Sequence, residues 1–139
     1  MKLEDIKKIY FIGIGGIGMS ALARYFNSRQ VEVFGYDKTE TKLTKKLVGE
    51  GMEIHFEDDV SQIPEEVDLV VFTPAIPKSH DELNYFLENN FLVKKRSEVL
   101  GIISRSKKTI GVAGTHGKTS TSSVLTWMLK VGGIDCTAF

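Results

Sequence analysis

The hexapeptide Gly114–Thr119 lies between an apolar run, Thr109–Ala113, and a helix-like segment, Ser120–Val131. A strand, a glycine-rich turn and a helix that opens with Lys-Thr form a cradle for phosphate, because glycine lets backbone N–H groups approach phosphate oxygens without a Cβ in the way. The ammonium group of Lys118 can reach the terminal phosphates, and the hydroxyl of Thr119 can ligate Mg²⁺. This order of elements predicts a nucleoside triphosphate site.

The general P-loop pattern is matched only in part, since it places a glycine where this chain has Val112. A glycine-rich turn with an exposed lysine therefore stays open as the plainer interpretation. Because the chain stops at Phe139, we expect it to be the front part of a larger enzyme.

The composition narrows the classes of function. Of the 139 residues, 42% are hydrophobic and 26% are charged, as in an ordinary soluble protein. Eighteen basic and eighteen acidic side chains give no net charge, which argues against a nucleic-acid or membrane surface. No segment resembles a signal peptide or a membrane helix. Cys136 is the only cysteine, which excludes an intrachain disulfide and fits the cytoplasm.

Short apolar runs alternate with segments of helical periodicity, which predicts an α/β fold with a Rossmann-like parallel sheet and helices on both faces. The predicted strands are Ile9–Ile12, Val31–Tyr36, Glu53–Phe56, Leu69–Phe72, Leu92–Lys94 and Thr109–Ala113, and the predicted helices are Gly18–Ser28, Thr41–Glu50, Asp81–Asn89, Ser97–Ser104 (with Ser97 as N-cap) and Ser120–Val131. The basic segment Arg105–Lys108 is predicted to separate two domains. Residues 1–104 would form the first, and residues 105–139 the linker and the opening strand, P-loop and helix of an incomplete ATP-binding domain.

The segment Gly13-x-Gly15-x-x-Gly18 has the spacing of a dinucleotide fingerprint between a strand and a helix. The helix start aims roughly half a positive charge at an anion. Ser20 can add a hydroxyl, and Asp37 ends the second strand, where an acid can hold a ribose. The pattern predicts a diphosphate ligand and does not choose between NAD and a UDP-sugar.

Loops at the carboxyl ends of strands line the ligand crevice of such a sheet, so Ser79 and His80 are candidates to face a sugar. The alternative for Ser79 is a helix N-cap. Arg96 is a candidate donor to a phosphate or carboxylate, with a plain surface arginine as the alternative. His55 is predicted to be structural or at the surface.

The segments Phe11–Ser20 and Ala113–Thr119 together resemble those of the Mur ligases of peptidoglycan synthesis, and Thr73–Pro77 and Lys95–Leu100 are similar to the same family. The resemblance covers the chain from Ile9 onward. It is strongest to the members that join L-alanine to UDP-N-acetylmuramate.

This resemblance implies a three-domain enzyme that uses ATP and Mg²⁺. ATP would phosphorylate the lactyl carboxylate of UDP-N-acetylmuramate, and the amino group of L-alanine would displace phosphate from the acyl phosphate. The acidic metal ligand and catalytic histidine of the family would lie beyond Phe139. We therefore expect this chain to bind the UDP-sugar without catalysing the reaction.

The resemblance also implies which residues form the two sites. The ATP site would comprise Gly114, Thr115, His116, Gly117, Lys118, Thr119 and Ser120, with Lys118 as the catalytic cation and Thr119 as the metal ligand. The UDP-sugar site would comprise Gly13, Gly15, Gly16, Ile17, Gly18, Ser20, Asp37, Thr73, Ala75, Ser79, His80 and Arg96. An exposed loop position stays open as the plainer interpretation of His116.

Two other functions remain possible from the sequence. A NAD-binding regulatory module would explain the first glycine cluster and Asp37 but not the segment Gly114–Thr119. The ligase that recycles a tripeptide onto the same UDP-sugar is a relative within the family. The apolar face of the last helix is predicted to be exposed, or covered by the first domain or by a second copy of the chain: Val124, Leu125, Trp127, Met128 and Leu129.

Overall fold

The structure, a computed structural model, describes residues 3–139. Its internal contacts divide the chain into two compact units. The first unit ends at Ile103, and the second runs from Ser104 to Phe139. The assignment of a separate ligand to each unit stays a prediction.

The strands of the first unit form one parallel sheet in the order β3-β2-β1-β4-β5. Their bounds are β1 Lys8–Ile12, β2 Glu32–Tyr36, β3 Glu53–His55, β4 Leu69–Phe72 and β5 Val93–Lys95. β1 pairs with β2 on one side and with β4 on the other. The strand order therefore reverses between β1 and β4, and ligands of α/β proteins bind at such a switch point, outside the carboxyl ends of the strands.

Helices cover both faces of this sheet, as predicted. Their bounds are α1 Ile17–Asn27, α2 Lys42–Gly49, α3 Asp81–Glu88 and α4 Arg96–Arg105. Leu22 of α1, Leu47 of α2 and Val99 of α4 pack in one apolar cluster. Leu83 and Phe86 of α3 pack in a second cluster. The doubly wound α/β architecture is the one that alternating strand and helix patterns favour.

The sequence of β1 suits the central strand of the sheet, which is buried on both faces. Ile9, Tyr10, Phe11 and Ile12 all have 0% exposure. Successive side chains of a strand point to opposite faces, so Ile9 and Phe11 join the first cluster while Tyr10 and Ile12 join the second. A continuous apolar run is what a strand buried on both faces requires.

Two local predictions are wrong. The segment Thr109–Ala113 forms no strand, because no strand among residues 3–139 pairs with it and a strand needs a neighbour for its backbone groups. Ser97 is not an N-cap, since α4 begins at Arg96, directly after β5. The carboxylate of Glu98 accepts a hydrogen bond from the N–H of Lys95 at 2.7 Å, which holds this direct strand-to-helix junction.

The second unit contains α5, Lys118–Val131, in which no residue is buried. Val124, Trp127 and Met128 are 57%, 66% and 59% exposed, as predicted for the apolar face of this helix. Among the helices that the structure describes, none has the length and apolar character to cross a membrane.

Substituting Gly35 tests how closely the central strands approach each other. A Cβ at Gly35 would lie 2.7 Å from the carbonyl oxygen of Phe11, whereas a Cβ at Gly49 meets nothing within 4 Å. We expect Gly35→Ala to lower the free energy of unfolding in urea by about 1–3 kcal/mol. Gly49→Ala, the matched control in α2, is expected to change it by less than about 1 kcal/mol, in the stabilising direction. Equal urea midpoints for the two variants would contradict this packing.

Candidate functional site

The turn after β1 is held by the end of β2. Gly13 has φ +85°, a left-handed conformation that glycine adopts without strain. The N–H groups of Gly13 and Ile14 donate to the carbonyl oxygen of Tyr36 at 2.8 and 3.0 Å. A Cβ on Gly13 would lie 3.2 Å from Cδ1 of Ile76, so Ile76 of the segment Thr73–Pro77 packs on this turn. The structure thus brings two predicted ligand segments together at the switch point.

α1 begins at this turn with Gly16 as its N-cap residue, and no side chain caps the helix. The first N–H groups of a helix have no partner within the helix and carry roughly half a positive charge together. Ile17 beside them is 87% exposed. Ser20 is buried, and its hydroxyl donates to the carbonyl oxygen of Ile17 at 2.9 Å. The donors open to a ligand here are therefore backbone N–H groups.

The guanidinium group of Arg96 lies against the first turn of α1. A Cβ on Gly18 would lie 2.5 Å from Nη1 of Arg96 and 3.0 Å from its Cζ. Within residues 3–139, no carboxylate forms a salt bridge with Arg96. A cation beside the positive end of a helix dipole is unfavourable unless an anion compensates both. This arrangement suits a diphosphate or a carboxylate ligand.

Asp37 faces the glycine turn from the end of β2. Its Oδ2 accepts a hydrogen bond from the N–H of Gly15 at 2.7 Å, and its Oδ1 accepts one from the N–H of Thr39 at 3.2 Å. Both carboxylate oxygens therefore bind backbone groups of the first unit. The contact of Asp37 with a ribose stays a prediction, and the structure adds an anchoring role for the turn.

Ser79 and His80, the two neighbouring candidates in the loop before α3, differ in burial. Ser79 is exposed, whereas His80 is buried and is the N-cap of α3, with its Nδ1 accepting from the N–H of Leu83 at 3.4 Å. The alternative that Ser79 caps the helix is therefore wrong. The ring of His80 stands edge-on to Tyr36 with centroids 4.6 Å apart, and its Nε2 has no hydrogen-bond partner among the described residues. Their contact with a sugar stays a prediction.

Glu82 is a buried titratable residue that the sequence analysis missed. It is 0% exposed, and its Oε2 lies 2.6 Å from Oη of Tyr10. Burial raises the pKa of Glu82 to about 7, since a charged carboxylate loses its hydration there. The signal that could have revealed it is its i, i+4 spacing from Phe86, which places an acid on the apolar face of α3.

His55 lies on the other side of the same tyrosine. Its Nε2 is 2.6 Å from Oη of Tyr10, and its Nδ1 is 2.8 Å from the carbonyl oxygen of Glu57. Burial lowers the pKa of His55 and raises that of Tyr10. The prediction of a structural or surface position for His55 is thus resolved in favour of a half-buried, hydrogen-bonded residue.

Asp58, His80 and Glu82 offer ligand atoms within 4.8 Å of one another, a spacing that could suit a cation. The two oxygens of Asp58 accept hydrogen bonds from the N–H groups of Asp81 and Glu82 at 2.9 and 3.0 Å. Oε1 of Glu82 accepts one from the N–H of Asp59 at 3.2 Å. Because the carboxylate oxygens already bind protein donors, we assign no metal to this cluster.

The glycine-rich turn of the second unit leads directly into α5. Gly114 and Gly117 have φ +156° and +75°, in the region that favours glycine. Gly117 is the N-cap residue of α5, and no side chain caps this helix. Nζ of Lys118 donates to the carbonyl oxygen of Gly114 at 2.6 Å. Thr115, His116, Thr119 and Ser120 are exposed around this uncapped helix start.

A family model described as Mur ligase family, catalytic domain, matches residues 8–108. The chain belongs to the Mur ligase family. The predicted family is therefore confirmed, as is the α/β fold of the first unit with its parallel sheet.

Relatives within this family share the full length of the chain. The UDP-N-acetylmuramate--L-alanine ligases of Flavobacterium johnsoniae and Flavobacterium psychrophilum are 55% and 57% identical to it over 143 residues. Each alignment covers 100% of this chain and 32% of the relative. The chain thus spans about a third of the length of these curated relatives.

Solved structures of Mur ligases share the fold. The UDP-N-acetylmuramate-alanine ligase of Thermotoga maritima superposes with a TM-score of 0.81 at 34% identity, covering 88% of this chain and 29% of that one. The UDP-N-acetylmuramate:L-alanyl-gamma-D-glutamyl-meso-diaminopimelate ligase of Neisseria meningitides gives 0.83 at 30% identity, covering 92% and 40%.

Removing the carboxylate of Asp37 tests its anchoring role in this Mur ligase chain. Asp37→Ala leaves the N–H of Gly15 without its acceptor, so we expect a loss of about 1–2 kcal/mol in the free energy of unfolding. Asp37→Asn keeps an amide oxygen as acceptor and is expected to lose less. Urea denaturation measures both, with Lys38→Ala at an exposed neighbouring position as the control. If Asp37→Ala is as stable as the control, the anchoring role is wrong.

Proposed function

We propose that this chain binds UDP-N-acetylmuramate at the glycine turn of the first unit and MgATP at the glycine-rich turn of the second. In this proposal it serves a ligase that joins L-alanine to the UDP-sugar through an acyl phosphate, in the cytoplasm. The observation that carries the proposal is the guanidinium of Arg96 against Gly18, at the uncapped start of α1. The relatives that share half of its residues are named for the same reaction.

The first unit has the chemistry to hold a diphosphate and a carboxylate. The open N–H groups at the start of α1 suit phosphate oxygens, and Arg96 can donate two parallel hydrogen bonds to an oxyanion. Asp37 and the segment Thr73–Pro77 border the same turn, where a ribose or sugar would lie. Ser79 and His80 are proposed to extend this site.

The residues of the second unit fit a nucleoside triphosphate. The N–H groups at the start of α5 are uncapped, and the left-handed Gly117 admits a close anion. Lys118 would exchange its bond with the carbonyl oxygen of Gly114 for the β- and γ-phosphates. Thr119 would hold Mg²⁺, which when bound neutralises charge on the phosphate oxygens.

The proposed reaction has two steps. A lactyl carboxylate oxygen of the UDP-sugar attacks the γ-phosphorus of ATP, which forms an acyl phosphate and releases ADP. The amine of L-alanine then attacks the acyl carbon, an amide forms, and phosphate leaves as the amine loses its proton. Such chemistry depends on positioning and on charge neutralisation, the part that Lys118 would supply here.

A second candidate is the tripeptide ligase that uses the same UDP-sugar. It is favoured by the Neisseria meningitides structure, whose name states that reaction and whose TM-score is 0.83. Both candidates predict UDP-N-acetylmuramate binding in the first unit. They differ in the amino-acid or peptide substrate. Self-association through the exposed face of α5 is a further proposal, which light scattering over a concentration series would test.

Thermal shift with UDP-N-acetylmuramate tests the ligand of the first unit. At a hundredfold the Kd, a ligand adds about 2.7 kcal/mol of stability, which raises the Tm by several degrees. We expect this rise with UDP-N-acetylmuramate and none with NAD. A rise with NAD alone would favour the dinucleotide-binding module and contradict the proposal.

Two variants and a control locate this binding. We expect Arg96→Ala to weaken binding of the UDP-sugar at least tenfold, about 1.4 kcal/mol, without lowering the Tm of the free protein, because it removes a cation from a helix start. Gly18→Ala should also weaken binding by displacing the guanidinium. Gly49→Ala in α2, outside the proposed site, is the control, since its Cβ would meet nothing within 4 Å. Unchanged affinity in Arg96→Ala would exclude the proposed role of Arg96.

Isothermal titration with MgATP tests the second unit. Lys118→Ala is expected to weaken MgATP binding at least tenfold, about 1.4 kcal/mol, because the lysine neutralises phosphate charge. Lys130→Ala, near the other end of α5, removes the same charge away from the turn and should bind as the parent does. Equal losses in both variants would mean that net charge, and not the turn, governs binding.

A further inference from the structure

Three side chains that the proposed function does not use form a network of short contacts. Oη of Tyr10 on β1 lies 2.6 Å from Oε2 of Glu82 on α3 and 2.6 Å from Nε2 of His55 on β3. Nδ1 of His55 lies 2.8 Å from the carbonyl oxygen of Glu57. These contacts therefore link α3 to β1 and β3 of the sheet.

The donors and acceptors in these contacts fix how many protons the three side chains share. The carbonyl oxygen of Glu57 can only accept, so Nδ1 of His55 carries a proton. In a neutral imidazole Nε2 is then an acceptor, and it takes the single hydroxyl proton of Tyr10. The contact between Tyr10 and Glu82 has no proton left unless Glu82 itself carries one. With Glu82 ionised and His55 neutral, the three side chains are one proton short. Both contacts of Tyr10 are hydrogen bonds only when Glu82 or His55 holds that additional proton.

The surroundings decide where this extra proton lies. Glu82 is 0% exposed, and burial disfavours both a carboxylate on Glu82 and an imidazolium on His55. The titratable groups that face Glu82 are Tyr10 from β1, Tyr36 from β2, His55 from β3, Asp58 and Asp59 from the following loop, and His80 and Asp81 at the start of α3. Asp58 and Asp59 favour a proton on Glu82 and on His55 alike, but burial outweighs them at His55 and lowers its pKa, whereas burial and both acids raise the pKa of Glu82. The proton therefore lies on Glu82.

We propose that Glu82, Tyr10 and His55 form a proton clamp, which ties α3 to β1 and β3 while Glu82 is protonated and weakens when that proton leaves. Without the proton, two acceptors face each other across one of the 2.6 Å contacts. The clamp adjoins the glycine turn, because the N–H of Asp37 donates to the carbonyl oxygen of His55 at 3.2 Å.

The direction of the pH dependence follows from the pKa of Glu82, which burial raises from 4.5 to about 7. The stabilisation is complete below 4.5, the value in the unfolded chain, and is lost as the pH rises through about 7. His55 and His80, whose pKa values burial lowers, act in the opposite direction as the pH rises through 6.5. A comparison of variants is therefore needed to isolate Glu82.

Glu82→Gln provides this comparison in the 139-residue chain. The amide group of the glutamine can donate to Tyr10 and accept from the N–H of Asp59, as a protonated Glu82 does, but it does not titrate. From pH 5 to pH 8 we expect the Tm of the parent to fall relative to that of Glu82→Gln by several degrees, on the order of 5 °C. Glu88→Gln, at an exposed position of α3, is expected to show no such trend. A constant difference between the parent and Glu82→Gln would overturn the proposal.

Carboxyl and imidazole NMR titrations of the parent protein give a second readout that does not depend on a variant. We expect the carboxyl carbon of Glu82 to titrate with a midpoint near the pKa of about 7, while His55 stays neutral with its proton on Nδ1. An ionised Glu82 at pH 5, paired with an imidazolium of His55, would overturn the proposal.

Discussion

β1 is paired on both sides and covered on both faces, so Ile9–Ile12 have no contact with solvent. The parallel sheet grows outward from this strand, and the order of strands reverses beside it. The turn that leaves its carboxyl end therefore lies at the switch point. Tyr36, Asp37 and Ile76 converge on that turn from the neighbouring strand ends. Burial of one apolar strand thus places the candidate ligand site.

The two glycine-rich turns share one physical device, a helix that begins without a capping side chain. Uncapped N–H groups are a small cost to the free protein, on the order of a few tenths of a kcal/mol where glycine takes the N-cap position, as Gly16 and Gly117 do. At α1 the cost increases, since the guanidinium of Arg96 lies against the same positive helix end. In an anion-binding site, lower stability of the free protein is the usual consequence of leaving donors open for the anion. The arrangement is thus easier to explain by a ligand than by packing.

The buried polar network on the α3 side follows a different logic. Tyr10 belongs to the second apolar cluster, and Glu82 beside it is 0% exposed, so a carboxylate without a proton would be costly there. Each of their polar atoms finds a partner on another element, so the network specifies how α3 packs on the sheet. It does so only in one protonation state. A network of this kind ties the stability of the unit to pH in a way that apolar packing does not.

The apolar runs and the helical periodicity by themselves determined the order of strands and helices along the first unit. The motif wording indicated the family, and the glycine spacings marked two candidate phosphate-binding turns. These features are local, because they depend on neighbours along the chain. Only the tertiary structure decided that Thr109–Ala113 forms no strand, that His80 caps α3, and that Arg96 lies against Gly18. It also brought Glu82 to Tyr10 and His55. Except for the local cap by His80, these features depend on contacts between residues distant in sequence, or on the lack of a pairing strand, and no short pattern encodes them.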